Sequence, residues 1–240
     1  GVTVDVTRNA SVYGSYTEIF QPQSEADANG TPIGARTGFQ YEFGIKKDLF
    51  NDRVNFQAAW FNLEDQNRAV EDSANLGSFL GTGDVRTRGV DIRVAGNPTP
   101  ELKLTAGYVY ADTETLTTDP GAEFGEIVPE HSASIFAKYT FLDGPLKGWG
   151  FGAGARGVSD FYALQDISGG AAPPQLVRIE TDGYVVADAQ VSYDFNEHIQ
   201  AKLDVTNVFD ENYYQRVNEI TRGNFYGEPR RVMFRITAKR

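Results

Sequence analysis

The chain has 240 residues and no cysteine, so disulfide frameworks and thiolate metal sites are excluded. A net charge of −11 argues against nucleic acid as a partner, since binding it takes a cationic surface. Only His131 and His198 are available for histidine chemistry, and no run of about 18 apolar residues exists to form a membrane-spanning helix.

A mean hydropathy of −0.39 leaves a β-barrel open, because strands that alternate apolar and polar residues average to a hydrophilic-looking chain. The chain begins directly on a strand-like segment, Gly1 to Val6, without the charged and apolar regions of a signal peptide. Thr7-Arg8-Asn9 is a turn, and Ala10 to Phe20 a second strand with Val12, Gly14 and Tyr16 opposed by Ser11, Tyr13 and Ser15. Residues 21–36 lack periodicity and read as a loop. The third strand sets Phe39, Tyr41, Phe43 and Ile45 against Gln40, Glu42, Gly44 and Lys46. After a tight turn at Phe50-Asn51-Asp52, the fourth aligns Val54, Phe56, Ala58 and Trp60.

Residues from about 67 to 83 read as a second long polar loop. Strand five sets Val90, Ile92 and Val94 against Gly89, Asp91 and Arg93, and Asn97-Pro98-Thr99-Pro100 is a turn. Strand six carries Leu102, Leu104, Ala106, Tyr108 and Tyr110 on one face. An acidic loop spans 112–126. Strand seven aligns Ala133, Ile135, Ala137, Tyr139 and Phe141; Asp143-Gly144-Pro145 turns the chain into strand eight, with Trp149, Phe151, Ala153 and Ala155. A fourth loop covers about 160–180. Two regular strands follow, Tyr184 to Phe195 and Ile199 to Thr206, joined by Asn196-Glu197-His198 as a hairpin. An eleventh strand runs from Tyr226 to Arg240.

Connections thus alternate between short turns and long loops, and aromatics crowd the strand ends. Both are features of bacterial outer-membrane barrels, with short periplasmic turns, long extracellular loops and interfacial aromatic girdles. Eleven strands cannot close a single-chain barrel of even strand number. They are half of the roughly 22 strands of a plugged outer-membrane transporter. A soluble β-sandwich binding module is the alternative reading of the same alternation.

Five segments carry a resemblance to a known family. Thr206-Asn207-Val208-Phe209-Asp210-Glu211-Asn212-Tyr213-Tyr214, with Tyr226-Gly227-Glu228-Pro229-Arg230, resembles the N-x-F-D-x-x-Y-Y … Y-G-x-P-R ending of TonB-dependent outer-membrane receptors, the siderophore branch in particular. Tyr13 to Gln23 is similar to that family's Y-x-S-Y-S-E-x-F-x-P-Q, Tyr41 to Lys46 to its Y-E-x-G-x-K, Gly83 to Asp91 to its G-x-x-R-S-R-G-x-E, and Pro129 to Ala133 to its P-x-H-x-x. The resemblance implies an antiparallel all-β transmembrane barrel, with residues 1–240 as the C-terminal part lacking the plug domain and first barrel half. It implies outer-membrane uptake of ferric siderophores, with iron entering only within the transported chelate and no cofactor. It further implies outer-membrane lipids around the barrel, and TonB acting through a plug and TonB box absent from this chain. A receptor for cobalamin, haem or an oligosaccharide is the alternative within the class, and a barrel enzyme the alternative outside it. One departure concerns the end: the family closes on an outward-facing aromatic, whereas parity from Val232, Phe234, Ile236 and Ala238 puts Arg240 in that slot.

Candidate chemistry is sparse. Gly152-Ala153-Gly154-Ala155-Arg156-Gly157 matches G-x-G-x-x-G, but inside an alternating strand with no helix after it, so the glycines read as inward-facing small residues. The acidic loop lacks the D-x-D-x-D-G spacing of a calcium site. His131 beside Ser132 and Ser134 reads as a strand-opening residue rather than a catalytic one. An iron chelate needs aromatic faces, cationic donors and hydrogen-bonding groups at the extracellular mouth. Predicted position nominates Arg86, Arg88, Tyr162, Gln215 and Tyr226 for that role, while the overall acidity disfavours a highly anionic ligand.

Overall fold

A computed structural model describes residues 1–72, 75, 77–117, 128–167, 175–218, 220–221 and 223–238. Among the described residues the regular elements are all strands, in the order β1 (Val2–Thr7), β2 (Ala10–Gln21), β3 (Arg36–Leu49), β4 (Val54–Glu71), β5 (Phe79–Gly96), β6 (Leu102–Thr115), β7 (His131–Thr140), β8 (Trp149–Val158), β9 (Phe161–Asp166), β10 (Leu176–Thr181), β11 (Tyr184–Asp194), β12 (Ile199–Thr206), β13 (Tyr214–Arg216), β14 (Phe225–Tyr226) and β15 (Arg231–Ala238).

Eleven of these form one antiparallel sheet in the order β1-β2-β3-β4-β5-β6-β7-β8-β11-β12-β15. Every strand pairs with the next sheet member in sequence, so the sheet is a meander whose outer edges are β1 and β15. The other four make two separate hairpins, β9–β10 and β13–β14. These are inserted in the connections before β11 and before β15.

Register decides which side chains share a face. One unbroken row runs Val4, Val12, Ile45, Ala58, Ile92, Tyr108, Ala133, Gly157 and Val185. This face holds the large exposed apolar side chains, among them Phe43, Trp60, Ile135, Phe151, Phe234 and Ile236. The opposite face carries Tyr13, Glu42, Gln57, Asp91, Arg93, Lys138, Arg156, Asp188, Gln190 and Lys202, several of them bonded across strands. Tyr13 Oη donates to Glu42 (2.6 Å), Gln57 donates to Tyr13 Oη (3.1 Å), and Gln190 donates to Asp204 (2.8 Å). A sheet with an outward apolar band and a hydrogen-bonded polar interior is the wall of a transmembrane barrel.

Aromatic belts bound the apolar face. At the short-turn end Trp149, Phe151, Tyr139, Phe141, Tyr193 and Phe195 pack edge to face or stacked at centroid separations of 4.9 to 6.2 Å. At the long-connection end Tyr108 and Tyr110 flank the His131 ring, and Tyr108 Oη lies 2.9 Å from His131 Nδ1.

Several sequence expectations need correction. The loop expected at 67–83 is mostly strand, since β4 runs on to Glu71 and β5 resumes at Phe79. A bulge between Asp65 and Arg68 accommodates Asn67 at φ 60°, a left-handed conformation that Asn tolerates. The fourth loop contains the β9–β10 hairpin. The eleventh sheet strand begins at Arg231 rather than Tyr226, because Phe225–Tyr226 pairs with β13 instead. The expected acidic loop begins within β6, which runs to Thr115, and residues 118–127 lie outside the described residues, as does Arg240. The G-x-G-x-x-G stretch sits within β8, as its alternation required.

Candidate functional site

The long connections all leave one end of the sheet, so any ligand site they build lies at that mouth. Three groups of residues shape it.

The first is the root of the β13–β14 hairpin, where the Asn207-to-Tyr214 motif folds back on the wall. Asn207 is 1% exposed and has φ 53°. Its Nδ2 donates to the carbonyls of Glu211 (2.9 Å) and Glu228 (3.1 Å), and its Oδ1 accepts the Glu211 N–H (2.8 Å). A single amide therefore ties both strands' approaches to the wall. Its own N–H donates to Asp188 Oδ1 (2.9 Å), and Asp188 Oδ2 accepts from Arg156 (2.5 Å). Asp210 accepts the Arg230 N–H (2.8 Å), bringing the two halves of the motif together. Gly227 is required by close approach, since a Cβ there meets the Tyr213 ring at 1.9 Å. The Tyr213 ring in turn packs on Tyr184 with centroids 4.1 Å apart.

The second group is the small core that joins the two hairpins. Phe161 and Ala163 of β9 bury against Val217, with Val158, Ile179, Tyr184 and Tyr214 around them. Gln165 Oε1 accepts the Ile220 N–H (2.8 Å). Fully burying an aromatic or Val side chain stabilises by about 1.5–3 kcal/mol, enough for this cluster to hold two hairpins that lie outside the main sheet. Below it on the polar face is a recess of about 500 Å³, lined in part by Asp91, Arg93, Ser134, Arg156 and Tyr184. Tyr184 and Arg156 belong to both the recess and the hairpin root.

The third group lies at the far side of the mouth. Arg36 pairs with the buried carboxylate of Asp65, and Arg68 lies 3.9 Å from it. Gln23 donates to the carbonyls of Gly34 (2.9 Å) and Asn67 (2.7 Å) and accepts the Ala69 N–H (3.0 Å), pinning the residue 22–35 loop to the β4 bulge. At the loop tip, Asp27 accepts the Asn29 and Thr31 N–H groups, both at 2.8 Å, and these bonds, chiefly that of Thr31, hold its carboxyl below the usual range.

The five nominated residues divide between two places. Tyr162, Gln215 and Tyr226 lie on the interlocked hairpins. The Arg178 guanidinium covers the Tyr162 ring at 3.5 Å, Gln215 is exposed, and Tyr226 stacks on Tyr214 at 4.4 Å. Tyr214 Oη donates to Tyr226 Oη (2.8 Å), which raises the Tyr214 pKa because ionising it forfeits that bond. Arg86 and Arg88 lie elsewhere. They share the parity of Val90 and Trp60 on the apolar face, and they pair with Glu114 (2.6 Å) and Asp112 (2.9 Å). His131 is also on that face, whereas Ser132 and Ser134 point to the other, so the three do not converge. Sequence reasoning missed Asn207, Asp188 and Arg156 as residues bonded to one another at the hairpin root.

Comparison with known proteins follows this geometry. Residues 1–208 match the family described as TonB dependent receptor-like, beta-barrel. The chain is 31% identical over 245 residues to the ferric-pyoverdine M114 receptor PbuA of Pseudomonas sp. (strain M114), covering 99% of this chain and 29% of that protein. It is 32% identical over 245 residues to the ferrichrome outer membrane transporter/phage receptor of Escherichia coli (strain K12), covering 99% and 31%. A solved structure of Pseudomonas aeruginosa FpvA bound to a heterologous pyoverdine superposes with a TM-score of 0.83 at 26% identity, covering 98% of this chain and 32% of that one. The chain spans about a third of the length of these relatives.

Proposed function

Because this chain belongs to the TonB-dependent receptor-like β-barrel family, we propose that residues 1–240 are the C-terminal part of a plugged outer-membrane barrel that takes up ferric siderophores. The iron is cargo held inside its chelate. The chain supplies the wall, the extracellular hairpins and part of the mouth; the remaining strands and the plug, through which TonB energises transport, belong to the rest of the polypeptide. No covalent step is assigned to this chain.

One observation carries the reading: the eleven-stranded meander, apolar on one face and polar on the other, aligns over nearly its whole length with receptors named for ferric pyoverdine and ferrichrome. The mouth supports it chemically. Tyr162 with Arg178, and Tyr214 with Tyr226, present aromatic faces, a cation and hydroxyl donors suited to a rigid polar chelate. Arg86 and Arg88 fit the role less well, since each already serves a carboxylate on the lipid-side parity.

A second reading is uptake of a different metal chelate, favoured by 28% identity over 242 residues to the metal-pseudopaline receptor CntO of Pseudomonas aeruginosa. Radiolabelled ⁵⁵Fe uptake by cells with and without the full-length gene decides between them. Ferric pyoverdine, ferrichrome and a ferric catecholate serve as probes, with radiolabelled divalent-metal chelates of a pseudopaline-type ligand in parallel. Loss of uptake of one ferric probe on deletion supports the first reading. Unchanged ferric uptake with loss of the other metal supports the second.

A further inference from the structure

The polar wall and the extracellular hairpins are joined by one continuous chain of side-chain and backbone contacts. Arg156 in β8 and Asp188 in β11 form an ion pair on the polar face, with side chains 38% and 23% exposed on that side. Asp188 spends its second oxygen on the Asn207 N–H, and the Asn207 amide holds the backbone of Glu211 and Glu228, the residues that enter and leave the β13–β14 hairpin. The Tyr213 hydroxyl lies beside the Arg156 guanidinium, and the Tyr213 ring is clasped between Tyr184 and Gly227. The hairpin is bonded onward to β9–β10 through Gln165 and Ile220.

We infer that Arg156 and Asp188 are positioning residues whose ion pair, acting through Asn207, seats the β13–β14 hairpin over the mouth. The luminal end of this latch is open to whatever enters the recess that Arg156 lines, while its outer end carries Gln215 and Tyr226. Its significance for uptake rests on the siderophore reading above, but the latch itself does not.

The two are separated by a measurement that needs no ligand. Within this chain an introduced cysteine is unique, since none is present. A nitroxide label is placed at Phe225→Cys on β14 in the full-length protein in lipid vesicles, and a control label at Ala28→Cys on the 22–35 loop. Asp188→Ala removes the acceptor of both the Arg156 and Asn207 donors. The expected result is a roughly ten- to hundredfold rise in the detached hairpin population, the range for losing a hydrogen bond to a charged group, seen as a mobile spectral component at position 225. The label at 28 stays unchanged, and Asp188→Asn, which keeps an acceptor for Asn207, falls between. Equal mobility at 225 in wild type and Asp188→Ala overturns the inference, as does equal loosening at 225 and 28. Should Asp188→Ala fail to insert, Arg156→Lys is read by the same two labels, with mobilisation at 225 alone supporting the latch and none refuting it.

Discussion

A lysine placed on the apolar face tests which side of the sheet meets lipid. Ile135 lies midway along β7, four residues from His131 in one aromatic belt and four from Tyr139 in the other. At about 3.3 Å per residue the belts lie roughly 26 Å apart along the strand, which a tilt of about 35–45° projects to roughly 19–22 Å, and the rings on both sides extend this toward an apolar band of about 25 Å. Ile135 is 53% exposed, and its cross-strand neighbours Ala106 and Ala155 offer no carboxylate and no bulk to shield a charge. Ile135→Lys at the bilayer midplane should cost about 2–4 kcal/mol. Thr105→Lys, on the polar face one strand away, should cost no more than about 0.5 kcal/mol. The assay is denaturant unfolding of the full-length protein in lipid vesicles, reported as the difference between variants. Equal costs for the two lysines, or a smaller cost at 135, would refute the assignment of faces.

Other outcomes follow from the mouth. Asn207→Ala removes the side-chain partner of two carbonyls and one N–H of the half-buried hairpin root, about 1 kcal/mol each in net terms, and strains a left-handed backbone by a further 1–2 kcal/mol. Asn207→Gly should recover about 1 kcal/mol of that, and protease cleavage between residues 211 and 230 should rank the variants Ala, Gly, wild type from fastest to slowest. Gly227→Ala forces Tyr213 off Tyr184 and should increase solvent quenching of tyrosine fluorescence without changing barrel insertion, as read by heat-modified gel migration. The Asp27 carboxyl, depressed mainly by the Thr31 N–H, stabilises its turn above the unfolded carboxylate pKa of about 3.9 and loses that contribution as pH falls through the lower folded value. Thr31 amide exchange should therefore be protected at neutral pH and acid-labile, and Asp27→Asn should flatten that dependence.

The membrane-embedded part of the fold was legible because lipid on one side and polar lumen on the other enforce strict alternation. Trp60, Val90, Tyr110 and Phe43 could be assigned to one face by counting in twos. Beyond the bilayer that constraint lapses. Asn62, Glu64 and Gln66 continue the parity of Trp60 as polar residues, so the outer halves of β4 and β5 read as loop although the two strands stay paired on both sides of the bulge at Asp65 to Arg68. The hairpins were hidden for another reason: β13 and β14 are three and two residues long and held by a tertiary core around Val217, which no local pattern announces. For the site, Tyr162, Gln215 and Tyr226 are nominated from position alone, and all three lie on the two hairpins at the long-connection end. Arg86 and Arg88 were assigned to the mouth by sequence order, yet counting back by twos from Val90 puts both on the lipid-side face. Asn207 was visible as a motif letter, but its work depends on Glu211 and Glu228 arriving together.

The most direct test of the account is the intact mass of the native polypeptide in purified outer membranes. The native polypeptide should be a single chain about three times the 26.4 kDa of these 240 residues, in keeping with relatives of which they cover about a third. A membrane-inserted polypeptide of 26.4 kDa would contradict it, because eleven strands would then have to close without the other half of the barrel.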